Sequence, residues 1–108
     1  MKLEQKICKP CEGGIKPLWG KILQQYSKEV KDWKIINNHQ IEKEFKFKDF
    51  KTALHFVNEI GRLAEREGHH PDIYLSWGKV KVTLWTHAVD GLSENDFILA
   101  KKIDLIKC

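Results

Sequence analysis

The feature that most limits what this chain can fold into is a change of hydrophobic period at residue 48. Before it, Ile41, Phe45 and Phe47 fall on one face of an extended segment, with Glu42, Glu44 and Lys46 on the other. That period-two pattern belongs to a half-buried antiparallel strand. After it, Phe50, Ala53, Leu54, Val57, Ile60, Gly61 and Ala64 recur along one helical stripe. Asp49 is placed as an N-cap and Gly68 as a stop, so a helix is expected from about Asp49 to Glu67.

The rest of the chain repeats this exchange of periods. Pro17, a good first-turn residue, opens an expected helix whose stripe is Trp19, Ile22, Leu23, Tyr26 and Val30. Trp33 to Ile36 reads as a short strand and Asn37 to Gln40 as its turn. Ile73, Leu75 and Trp77 alternate with Tyr74 and Ser76 in a third strand, and Gly78 marks a turn. Lys79 to His87 forms the fourth, with Val80, Val82, Leu84 and Thr86 facing the core and Lys81, Thr83, Trp85 and His87 facing away. Ser93 and Asp96 have capping-box spacing at the start of a last helix buried through Leu99, Ala100, Ile103 and Ile106. The expected fold is a two-layer α+β domain spanning residues 1–108, a four-stranded antiparallel sheet with three helices on one face.

Composition excludes several classes. The chain has 108 residues, 42% hydrophobic and 31% charged, which is ordinary for a globular domain and not for a disordered or membrane-spanning one. Residues Met1 to Cys11 hold no continuous apolar run, so no secretory signal is expected and the cytoplasm is the default location. The formal charge of +4 comes from scattered lysines without clustered arginines or stacking aromatics, so no nucleic-acid partner is expected. Cys8 and Cys11 form a lone C-x-x-C; zinc would need a second pair, so loop or packing cysteines are expected.

The chemistry concentrates in three histidines. His69 and His70 precede the third strand, and His87 ends the fourth. A hairpin of those strands places its open ends side by side and so gathers all three imidazoles at one end of the sheet. Glu65, on the last turn of the preceding helix, and Asp96 can reach the same area. Imidazoles beside carboxylates suit proton transfer near neutral pH. Spacing alone leaves a competing reading open, in which His69 and His70 only cap the helix end and His87 lies on the surface. A zinc site is a third option, disfavoured because adjacent His69 and His70 diverge on the extended backbone that Pro71 imposes.

The run Glu65-Arg66-Glu67-Gly68-His69-His70-Pro71-Asp72-Ile73, then Trp77, Thr86-His87, Gly91-Leu92-Ser93 and Asp96, resembles the pterin-4a-carbinolamine dehydratase signature. Asp32-Trp33, the pattern around Phe45, Phe47, Asp49 and Phe50, and Cys8-x-x-Cys11-x-Gly13-Gly14 are also similar to that family. Ile73 departs from it, since animal members typically carry tryptophan there; this bears on pterin packing and not on the proton chemistry.

The resemblance implies a dehydratase that removes water from a 4a-hydroxy-tetrahydropterin to give the quinonoid dihydropterin, in tetrahydropterin recycling, without metal or organic cofactor. It implies acid–base roles for His69 and His87, and pterin binding and proton removal for His70. Glu65 and Asp96 would be supporting carboxylates, with Pro71 and Trp77 at the substrate. It also implies a homodimer or homotetramer, in keeping with open sheet edges. Two other roles go with the same resemblance: a non-catalytic module that dimerises a transcription factor through helix surfaces, and a pterin-related part in molybdenum-cofactor metabolism.

Overall fold

The computed structural model describes residues 2–9 and 16–107. Cys11, Gly13 and Gly14 lie outside the described residues. Seven regular elements follow in order: α1 (Gly20–Glu29), β1 (Lys34–Ile36), β2 (Gln40–Lys46), α2 (Phe50–Glu67), β3 (Asp72–Ser76), β4 (Lys79–Leu84) and α3 (Glu94–Asp104). Short 3-10 turns occupy Leu3–Gln5 and His87–Val89.

The strands form one antiparallel sheet in the order β1-β2-β4-β3. Its register sets Ile41 opposite Leu84, Phe45 opposite Val80, and Ile73 opposite Val82, which stacks the apolar residues on one face. The other face carries Lys34, Glu42, Glu44, Lys79 and Lys81, and none of these joins the core. The core joins Ile41, Val80, Val82 and Leu84 of the sheet to Leu23 of α1, Ala53, Phe56, Ile60 and Leu63 of α2, and Phe97 to Ala100 of α3. The expected α+β sheet with its helical layer is what forms. Among the described residues no helix is long and apolar enough to cross a membrane.

The cap positions of α2 match the sequence. The Asp49 side chain accepts from the Thr52 N–H at 2.8 Å, and Gly68 closes the helix in the left-handed region at φ +67°. The buried stripe of α2, however, is Ala53, Phe56, Ile60, Leu63 and Ala64, while Phe50 and Leu54 are exposed. The helix offers two overlapping apolar stripes, and packing on β3 and β4 selects the second. Helical periodicity finds an apolar face without fixing its centre.

Three other expectations are corrected. The first helix begins at Gly20, because the Leu18 N–H donates to the Leu92 carbonyl at 2.8 Å and holds the preceding residues out of the helix. Trp19 and Ile22 consequently lie exposed rather than on the buried stripe. The fourth strand ends at Leu84; Thr86 pairs with Gly91 in an isolated bridge, and His87 sits on a 3-10 turn beyond it. α3 is also buried over more than one stripe, from Asn95 through Ala100, because residues 2–9 lie against it with Leu3 and Cys8 buried.

Candidate active site

His69 leaves α2 immediately after Gly68. The left-handed glycine breaks the helix there, and Pro71 keeps the chain extended into β3. Across the β3–β4 hairpin, the turn after β4 carries His87. Gly68, His69, His70, Pro71, Asp72, Trp85, Thr86 and His87 line one cleft of about 380 Å³, together with Lys9, Ala88 and Asn95. The β3–β4 hairpin thus gathers the three imidazoles at its open end.

Each of the first two histidines has its own carboxylate. His69 Nε2 lies 2.6 Å from Asp96 Oδ1, and Asp96 is completely buried. The other Asp96 oxygen accepts from the Ser93 N–H at 3.0 Å and the Thr86 hydroxyl at 2.8 Å. Thr86 in turn meets Ser93 Oγ at 2.7 Å. The capping box of α3 is present, so Asp96 both caps the helix and holds His69. A carboxylate only accepts, so the His69 Nε2 carries the hydrogen and Nδ1 is the nitrogen left for proton transfer. His70 Nε2 lies 2.5 Å from Glu65 Oε2, one helical turn back, with both side chains largely exposed. The two imidazoles thus turn to different carboxylates on different helices. Among the described residues, no group of three or more metal-ligating side chains is placed to share an ion.

His87 is oriented differently. Its ring stacks on the Trp85 indole, with centroids 3.7 Å apart and planes at 30°. The indole nitrogen reaches Asp72 Oδ2 at 3.4 Å. His39, on the β1–β2 turn, packs on the same indole at 4.6 Å. Hydrogen bonds to Gln40 and then to Asp90 hold the His39 pKa above its ordinary value.

Trp77 is not brought into this cleft. It lies exposed at the far end of β3, roughly 17 Å along the strand from Asp72 at the rise of an extended chain. The correction follows from strand length, because the hairpin that gathers the histidines at its open end sends Trp77 to its closed end. Sequence reading missed Thr86, Trp85 and His39 as site residues. Alternation already placed Trp85 on the same side as His87, and that was the available signal for it; nothing local marked His39. Cys8 is buried beside the same region, its Sγ 3.7 Å from the Asn95 carbonyl. Burial, reinforced by Glu67, pushes its thiol up to about 12, which fits packing rather than redox chemistry.

The fold and site define a small α+β protein with one cleft that gathers three histidines, two of them hydrogen-bonded to carboxylates. The family model described as pterin 4 alpha carbinolamine dehydratase matches residues 16–106. A relative from Alkaliphilus metalliredigens, provisionally named a pterin-4-alpha-carbinolamine dehydratase, is 55% identical over 103 residues, covering 94% of this chain and 93% of its own. One from Rubrobacter xylanophilus with the same provisional name is 43% identical over 103 residues, covering 95% and 96%. A crystal structure described as a transcriptional coactivator/pterin dehydratase from Brucella melitensis superimposes with a TM-score of 0.77 at 31% identity, covering 82% of this chain and 96% of that one. The chain belongs to the pterin-4a-carbinolamine dehydratase family.

Proposed function

We propose that the protein eliminates water from a 4a-hydroxy-tetrahydropterin, with His69, His70 and His87 handling the protons. The observation that carries this reading is the buried Asp96 carboxylate set against His69 at the wall of a cleft that His70 and His87 share. In the reaction the C4a–O bond breaks as the hydroxyl takes a proton and leaves as water. N5 gives up its hydrogen, and the electron pair of that bond forms the N5–C4a double bond of the quinonoid dihydropterin. No electrons leave the substrate, so acid and base suffice. His69, its tautomer set by Asp96, and His87 serve the leaving hydroxyl. His70, steadied by Glu65, binds the pterin and assists loss of the N5 proton. Pro71 keeps the His70 backbone extended beside the ring. The product feeds tetrahydropterin recycling, and a cytoplasmic location goes with this reading.

The test is an assay of the purified chain on freshly generated 4a-hydroxy-tetrahydropterin. The expected result is turnover that survives exhaustive chelation. His69→Ala and His87→Ala each leave part of the activity, and the double variant loses roughly 10²-fold or more, as for other general acid–base groups. A folded double variant at the wild-type rate removes the acid–base assignment.

A second reading, a protein-binding module, is favoured by the exposed Phe50 and Leu54 on α2. Absence of turnover in the same assay decides for it. The proposed assembly is a homodimer or homotetramer, supported by that face and by β3 at the open sheet edge.

A further inference from the structure

His69 and His70 are held by carboxylates, but no side chain among the described residues hydrogen-bonds the ring nitrogens of His87. Its turn is short and its side chain exposed, so its rotamer needs another constraint. The stacked indole of Trp85 supplies one. Trp85 is itself half-buried and contacts a second imidazole, His39. Among the described residues no ring contact joins His39 to His87 directly, so the ring contacts link them only through the indole.

His39 is anchored at both nitrogens. Nδ1 meets Gln40 Oε1 at 2.9 Å, and Nε2 meets Asp90 Oδ1 at 3.0 Å. Both partner atoms are oxygens, so the ring is tied at both of its nitrogens and its plane is held against the indole. Asp90 also closes the turn that carries His87, its N–H donating to the His87 carbonyl at 3.1 Å. His39 therefore grips the His87 turn twice, through the Trp85 ring and through Asp90. Two residues in the left-handed region, Asn37 and Asn38, turn the β1–β2 connection so that His39 meets them.

We infer that His39 is a positioning residue for His87, clamping the Trp85 indole and the Asp90 turn so that the His87 imidazole keeps one orientation toward the cleft. Two imidazoles already contact the indole, which on this inference links them rather than serving as a shelf for the substrate. The inference rests on the dehydratase reading for its kinetic consequence, but its structural content can be measured without turnover.

The experiment uses the full chain with labelled histidines, the His87 ring C–H resonances being assigned by their loss in His87→Gln. Stacking on an indole moves those resonances upfield, and Trp85→Leu removes that displacement. In His39→Ala the displacement is expected to shrink clearly. There kcat should fall about tenfold with KM little changed, short of the roughly 10²-fold that a fully misplaced group can cost. His39→Ala/His87→Ala should be no slower than His87→Ala alone, because His39 acts only through His87. His39→Gln, which keeps a polar partner for Asp90 but no ring, covers the case in which alanine does not fold. Unmoved His87 resonances in a folded His39 variant, or additive losses in the double variant, overturn the inference. If the wild-type chain shows no turnover while the resonances still move, the clamp stands and the dehydratase reading falls.

Discussion

The Asp96 carboxylate is completely buried, yet its two oxygens accept from His69, Thr86 and the Ser93 N–H. An asparagine there has one acceptor and one donor end, so one of those donors is left facing an N–H. Hydrogen bonds to buried charged groups contribute roughly 1.5–3 kcal/mol each, so Asp96→Asn should cost stability on that order as well as rate. Chemical denaturation of the variant beside the wild type checks this; unchanged stability with activity alone reduced means that the cap contributes nothing. Glu65 makes the contrast. Its bond to His70 is solvent-exposed, and Glu65→Gln should leave stability unchanged within error while weakening turnover.

At the scale of elements, the end of α2 sets the geometry of the site. Gly68 takes φ +67°, and a Cβ there meets nothing within 4 Å. Replacement therefore costs backbone strain alone, about 1–2 kcal/mol for an ordinary residue in the left-handed region. Gly68→Ala should be destabilised by that amount, with Gly68→Asn milder because asparagine tolerates this conformation. Equal melting curves for the alanine and asparagine variants would contradict the strain argument. His69 follows directly, so any residual shift of its backbone should be read in kcat as well as in Tm. The β3–β4 hairpin does the remaining placement, its open end holding His69, His70 and His87 and its closed end carrying Trp77 away.

Over the whole molecule, Glu67 ties three segments together. Its carboxylate accepts from the Cys8 N–H at 3.0 Å and pairs with Lys102 of α3 at 2.9 Å, from the last turn of α2. Burial pushes its pKa up, but the Lys102 ammonium and the Cys8 N–H outweigh burial and hold it below its ordinary 4.5. A folded pKa below the unfolded one means stability that is fully present above pH 4.5 and lost as pH falls through the lower folded value. Glu67→Gln should accordingly be less stable than wild type at neutral pH, and the gap should close in acid. A gap that stays constant as the pH falls from 7 into acid would show that the pair does not titrate as described.

How far the sequence reaches depends on the range of the forces involved. The α+β class, the caps at Asp49, Gly68 and Ser93, and the gathering of the three histidines were legible because alternation, helical spacing and capping act over a few residues. The family resemblance supplied roles for Glu65 and Asp96, and the structure shows each of them bonded to a histidine. Tertiary packing decided what local pattern leaves degenerate. It chose between the two apolar stripes of α2, buried α3 beneath residues 2–9, and ended β4 before His87. It also brought His39 from the β1–β2 turn onto Trp85, a contact between residues far apart in the chain that no periodicity encodes. Such contacts depend on how sheet register and helix packing close at once, which is why only the folded chain displays them.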